Sequence, residues 1–402
     1  MLKKILIGLA ALAVVAGVAI GITLYVTRAP EPGEFYDPPE IAAGTAPGTL
    51  LRSERFTPDG LPEGAEAWRI LYVTEGADGA PVPVSGMVFT GTAAREADGP
   101  RPVIAWGHGA IGVARGCAPT LLPEPTIVVP PLEAALAQGW VVVATDYPGL
   151  GAPGLHPFLI SDETGRSVLD AVRAARDLDA GVEIGDRYAL WGESQGGHAV
   201  LSAAQLATEG YAPDLDLVGV AAAAPATDLA PLMAEALTRP AGKVLASQAV
   251  VQWTKAYPEL SFDEAITPVA RPLVRAIARR CIFPNFFVVA AQTILLPKNI
   301  LRIDITTDPR WARRLAENTP SRPIGVPVLL AQGQDDVVVD PGVQARYVAK
   351  RCAAGQDILF RRLPGTGHVD VMGPATPEFV DWTAARFAGE EPPAGCGAGE
   401  VS

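Results

Sequence analysis

Apolar positions along the chain repeat with two different periods. Strand-like runs occupy residues 68–76 (WRILYVTEG), 82–91, 102–109, 140–147, 188–193, 217–225, 326–333 and 357–363, where β-branched and aromatic residues stand between Gly, Pro and Asp. The later runs are nearly continuous in apolar residues, as parallel strands covered on both faces require. Between them a spacing near 3.6 predicts helices over 130–139, 163–181, 194–210, 341–355 and 376–389, several of which stop at glycine. Two antiparallel-looking strands followed by strand–helix repeats define an α/β class, with a mostly parallel central sheet and helices on both faces.

One interval breaks the alternation. From Thr227 to Pro323 the pattern is helical with no convincing strand, which predicts a helical cap inserted at 227–323 into a core formed by 51–226 and 324–402. Inside it, CIFPNFFVVAAQTILLP (281–297) carries no charge and reads as the cap's core or as an apolar channel for an acyl chain. The preceding Arg271, Arg275, Arg279 and Arg280 read as a solvated helix face. Residues 31–50, rich in Pro, Gly and Ala, predict an extended arm.

Residues 1–30 differ from everything after them. Lys3 and Lys4 precede an uncharged apolar run from Ile5 to Val26, which Arg28 ends. That arrangement marks an export segment. Its length favours an uncleaved membrane anchor with the lysines held inside, and a cleaved signal peptide is the alternative. The chain of 402 residues as a whole is 49% hydrophobic and 19% charged, enough to bury a large core. A net charge of −12 without any basic tract argues against nucleic acid as a partner. Cys117, Cys281, Cys352 and Cys396 all follow the export segment, so two disulfides are expected in an oxidising space. Three pairings are open to them. None sits at zinc-ligand spacing, and no metal or organic cofactor is expected.

Candidate chemistry centres on RYALWGESQGGHAV (187–200), where Ser194 stands in a GxSxG pattern. The pattern alone is weak, but here it joins a strand to a helix. Gly192 and Gly196 remove side chains where such a turn is tight, and the turn lifts the serine hydroxyl to the edge of the sheet. A serine needs a base, and the chain holds four histidines. His198, one helical turn after Ser194, points along the helix. His156 lies on a loop and lines the site or satisfies that loop. His108 follows the third predicted strand, at the loop that supplies an oxyanion donor. His368, on the glycine-flanked loop PGTGHVDV, is the expected base. The orienting acid should follow the strand before it, where Asp335, Asp336 and Asp340 occur, and Asp336 at the strand tip is chosen over Asp335. The amide of Gln195 and that of Ala110 or Gly109 would stabilise an oxyanion, with Gly107 and Gly109 permitting close backbone approach.

Taken together, FYDPP, PGTLLRSERF, PVIAWGHGAIGVARGCAPT, ATDYPGLGAPGLHPFL, WGESQGGHA, QGQDDVVV and GTGH, in that order from about Phe35 to Ala388, resemble the secretory lipase family, the lipase A type of α/β-hydrolase. The resemblance implies ester hydrolysis, often of lipids, under a helical cap, with acyl transfer to alcohols in some members. It places the triad on Ser194, Asp336 and His368. It also implies pairing of Cys117 with Cys281 and of Cys352 with Cys396. Glu193 beside the nucleophile, Asp340 where a proline is common, and the apparent tether depart from the family pattern. The expectation is an exported carboxylic ester hydrolase acting on a small or lipid ester. An envelope acyltransferase with the same triad, and a non-catalytic binding module on the same fold, are the competing readings.

Overall fold

In the computed structural model, the described residues are 29–96, 98–283 and 286–396. The export segment expected at 1–30 lies almost wholly outside them. Among the described residues, no helix is long and apolar enough to cross a membrane.

Nine strands form one sheet in the order β1-β2-β3-β5-β4-β6-β7-β8-β9. They are β1 (Leu50–Phe56), β2 (Glu66–Glu75), β3 (Pro81–Thr90), β4 (Arg101–Gly107), β5 (Val141–Thr145), β6 (Ile184–Glu193), β7 (Asp216–Ala223), β8 (Val328–Gly333) and β9 (Ile358–Leu363). The pairs β1·β2, β2·β3 and β3·β5 are antiparallel, and every pair from β5 through β9 is parallel. The helices are α1 (Thr92–Glu96), α2 (Leu132–Ala137), α3 (Ser161–Arg176), α4 (Gln195–Thr208), α5 (Leu229–Ala236), α6 (Pro240–Ala256), α7 (Phe262–Ala265), α8 (Arg271–Ala278), α9 (Phe286–Leu295), α10 (Pro309–Glu317), α11 (Pro341–Ala353) and α12 (Met372–Phe387).

Alternation along the strands explains the layers, because successive side chains leave a strand on opposite faces. Val103, Ala105, Val143 and Leu190 point to the face covered by α3, α4 and α11. Their neighbours Ile104, Trp106, Val142 and Trp191 point to the face covered by α2 and α12. Trp191 is anchored there by its indole N–H, which donates to Thr383 Oγ1 at 2.9 Å.

Three expectations change. Residue 50 ends no arm: it begins β1, an edge strand whose sequence LLRSERF shows no apolar alternation, because its middle residues face solvent. The antiparallel portion is therefore larger than two strands. Arg280, read as part of a solvated face, is buried and donates to the Ala276 carbonyl, whereas Arg271 and Arg275 pair with Asp263 on the surface.

Between β7 and β8 run α5 to α10, with a bridge between Ile266 and Leu301 inside the insertion and another from Cys281 to Gly112 of the loop after β4. These helices bury a core of their own around Val250, Trp253, Val274, Ile277 and Trp311, which closes against Val113, Phe158 and Ile160 of the sheet's loops. A disulfide between Cys117 and Cys281 ties the loop after β4 to this helical insertion, and another between Cys352 and Cys396 ties α11 to the C-terminal stretch. Both are the pairings the family resemblance implies.

Candidate active site

Ser194 occupies the turn from β6 to α4 with φ 56° and ψ −118°, a conformation that costs free energy for any residue with a Cβ. The surroundings hold it there. Its N–H donates to the Ala223 carbonyl at 2.9 Å, and its carbonyl accepts from the amides of His198 and Ala226, both at 3.1 Å. Gly107 and Gly192 are register partners on β4 and β6, and the first turn of α4 lies directly over them. A Cβ on Gly196 would lie 1.8 Å from the Gly107 carbonyl oxygen, and one on Gly192 would lie 2.4 Å from the Gly196 oxygen. Three backbones meet at one point.

Ser194 as a whole is 8% exposed. His368 Nε2 lies 2.9 Å from Ser194 Oγ, and His368 Nδ1 lies 2.7 Å from Asp336 Oδ2. The three expected residues, drawn from β6, β8 and β9 loops, form one hydrogen-bonded chain. Burial lowers the basicity of His368, but the hydrogen bond and charge of Asp336, with Glu193 beyond, outweigh it and hold the imidazole pKa above its ordinary value.

Asp336 is fully engaged. Its Oδ1 accepts from the amides of Val338 and Val339 at 2.7 and 2.8 Å, and Oδ2 also accepts from Gln332 Nε2 at 3.0 Å. The neighbouring acids have other places: Asp335 is exposed, and Asp340 caps α11 by accepting from Gly342 and Val343 amides. Sequence reasoning missed Gln332, since a lone glutamine at a strand end carries no pattern.

The other histidines are neutral structural groups. His198 Nε2 lies 2.7 Å from the Asn318 carbonyl, locking α4 to the end of the insertion. His156 Nδ1 donates to the Pro148 carbonyl at 3.1 Å, and its Nε2 receives the Gln195 side-chain amide at 3.3 Å. His108 packs on Tyr147, with Nδ1 beside the Gly109 carbonyl at 2.7 Å. Burial lowers their pKa values to about 4, about 3 and about 4 respectively.

Gly109 sits against the nucleophile: a Cβ there would lie 3.7 Å from Ser194 Cβ. Ala110 and Gln195 line a cavity of about 60 Å³ with Ser194, and the rest of its wall is apolar, from Phe158, Leu229, Leu232, Met233, Leu245 and Val339 among others. Among the described residues none of that wall comes from 281–297, read from sequence as the cap's core or an acyl channel; the apolar side of this cavity comes from α5 and α6. The reason is positional, since α5 follows β7 directly and passes over the strand tips. At the far end of α9, Ile294 is 82% exposed. No group of residues that could hold a metal ion occurs among the described residues.

A mostly parallel sheet, a strained serine turn and a Ser–His–Asp chain define an α/β-hydrolase. Residues 124–395 match the model of the secretory lipase family, and the chain belongs to that family. It is similar to lipase 2 of Candida albicans, 28% identical over 93% of this chain and 84% of that protein, and to a probable inactive lipase of Mycobacterium tuberculosis, 26% identical over 90% and 83%. Its fold is that of Candida antarctica lipase A in its closed state, with a TM-score of 0.76 and 21% identity over 91% of this chain and 88% of that one. Membership makes the chain a hydrolase of the lipase and esterase kind.

Proposed function

We propose that the protein is an exported serine carboxylic ester hydrolase working through an acyl-enzyme. The observation that carries this reading is the unbroken chain from Ser194 Oγ through His368 to Asp336, opening on an apolar cavity. His368 Nε2 takes the Ser194 proton as Oγ bonds to the ester carbonyl carbon, and Asp336 stabilises the imidazolium. The amides of Gln195 and Ala110 receive the oxyanion, because Gln195 opens a helix whose first-turn amides have no intrahelical acceptor. Collapse expels the alcohol, which takes the proton from His368. Water then enters, loses a proton to the same nitrogen, and releases the acid and Ser194.

The cavity wall supports an acyl group on the α5 and α6 side, and the insertion acts as a lid over it. Two disulfides and the lysine-led apolar run at 5–26 support export, with that run as signal or anchor. No residue of this scheme requires a cofactor. Ser194→Ala tests it: nitrophenyl butyrate hydrolysis and labelling by a fluorophosphonate probe both vanish while the unfolding curve is unchanged. Retention of wild-type hydrolysis by that variant would overturn the assignment.

A further inference from the structure

The three neutral histidines do not stand alike to the nucleophile. Among the described residues, only the ring of His156 is bonded to a residue adjoining Ser194 in sequence, through the side chain of Gln195. Both His156 and Gln195 are 2% exposed, so the bond is made away from bulk solvent.

Its direction is fixed by what lies on the other side of the ring. His156 Nδ1 faces the Pro148 carbonyl at 3.1 Å, and a carbonyl only accepts, so Nδ1 carries the proton. Burial lowers the imidazole pKa to about 3, which leaves Nε2 with a free lone pair near neutral pH. Gln195 therefore donates through its own Nε2, at 3.3 Å, and its Oε1 turns the other way. That oxygen is buried with no hydrogen-bond partner among the described residues. A buried acceptor left unpaired is destabilising, and an apolar side chain in its place would avoid that cost. Stability alone gives no reason for a glutamine here.

Position does. Gln195 is the first residue of α4, and the peptide joining it to Ser194 carries the amide that receives the oxyanion in the proposed reaction. Ser194 holds that peptide with φ 56° and ψ −118°, outside the basins in which a residue with a Cβ relaxes. Rotation of this one peptide would swing its N–H out of the cavity with little movement of the chain on either side. A side chain tethered at its far end resists that rotation. The tether is itself held: the loop after β5 begins with Tyr147 at φ 68° and folds back so closely that a Cβ on Gly149 would lie 2.4 Å from the His156 nitrogen. The His156 ring centroid is 6.0 Å from those of both Tyr147 and Phe158.

We propose that His156 is a positioning residue of the oxyanion site: its Nε2 holds the Gln195 side chain and so keeps the Gln195 amide aimed at the developing negative charge. This rests on the Ser194 reaction above and extends it to a loop that contributes nothing to the triad. The same loop braces the other side of the site, where the Tyr147 hydroxyl donates to the His108 carbonyl at 3.2 Å, just before Gly109 and Ala110.

Two substitutions separate positioning from stability. His156→Phe keeps a ring beside Tyr147 and Phe158 and removes the acceptor, and Gln195→Met keeps the length and removes the donor. Either alone unfolds at lower denaturant than wild type, whereas the double variant unfolds near wild type, because replacing both partners of a buried bond is close to neutral. In all three, kcat for nitrophenyl butyrate falls by roughly 5- to 30-fold with KM unchanged, less than for outright removal of an oxyanion donor. The two single losses do not multiply in the double variant, since both act through one bond. Nitrogen-15 NMR of the wild-type enzyme finds His156 protonated at Nδ1 and bare at Nε2. Rates are taken per enzyme labelled by the fluorophosphonate probe, so a variant that folds only in part is still read. A double variant as stable and as fast as wild type overturns the role of His156, and so does a ring protonated at Nε2. A wild-type enzyme that the probe never labels overturns the nucleophile assignment, and this inference with it.

Discussion

Asp335, Asp336 and Asp340 lie within six residues of one loop and have three unrelated surroundings. Only Asp336 is turned inward, 4% exposed, with every lone-pair direction used by the Val338 and Val339 amides, Gln332 and His368. Its choice from sequence rested on distance from the strand tip, and that was enough because a strand fixes where its first loop residues can go. The amides and Gln332 that hold it were illegible, since backbone donors carry no residue signature. Asp336→Asn keeps this cradle but presents an amide to Nδ1, which favours the wrong imidazole tautomer. We expect kcat for nitrophenyl butyrate to fall by about 10³- to 10⁴-fold with KM nearly unchanged, the scale seen for such a change in other triads. Loss of less than tenfold would mean that Asp336 does not orient the base.

Among elements, the elbow between β6 and α4 was legible because it combines a strand pattern, a helix pattern and glycines in nine residues. Strand β1 was not, because an edge strand exposed along its middle needs no apolar face and is specified by its partner β2 rather than by itself. The helices of the insertion were legible as a class but not in their assignments. The apolar stretch 281–297 stands out by composition, whereas the cavity beside Ser194 takes its apolar wall from α5 and α6 by position. The glycines of the elbow yield the sharpest prediction at this scale. Gly196→Ala drives a methyl into the Gly107 carbonyl at 1.8 Å, backbone against backbone with no side chain to give way. We expect it to lose all esterase activity and more than about 3 kcal/mol of stability in denaturant unfolding. Gly373→Ala in α12, where a Cβ meets nothing within 4 Å, stays within about 0.5 kcal/mol of wild type. Equal behaviour of the two would refute the packing account.

At the scale of the molecule, the α/β layout and the division into sheet and helical insertion followed from the period of apolar positions, because burial imposes those periods. The size of the cavity did not follow, since it depends on how side chains from distant segments meet. About 60 Å³ beside Ser194 gives space for roughly five water-sized groups, and the Leu229, Leu232 and Met233 side chains are part of its wall. Under the proposed function, a cavity of this size predicts a preference for short acyl chains. Across nitrophenyl esters from acetate to palmitate, we expect kcat/KM to peak near butyrate or hexanoate and to fall at least tenfold by palmitate. A profile that rises steadily to palmitate would show that the insertion moves aside during turnover.

The bridge from Cys117 to Cys281 spans 164 positions of sequence, and it connects a loop made early in synthesis to a segment of the insertion made much later. Until the second thiol emerges from the ribosome, the first has no correct partner. Either of the remaining cysteines offers a wrong one, and Cys352 emerges soon afterwards. Assembly of this protein is thus a problem of timing as well as of packing. A reducing cytosol would leave the loop after β4 and the insertion to find each other by contact alone, whereas a disulfide isomerase in an oxidising compartment would make their meeting permanent.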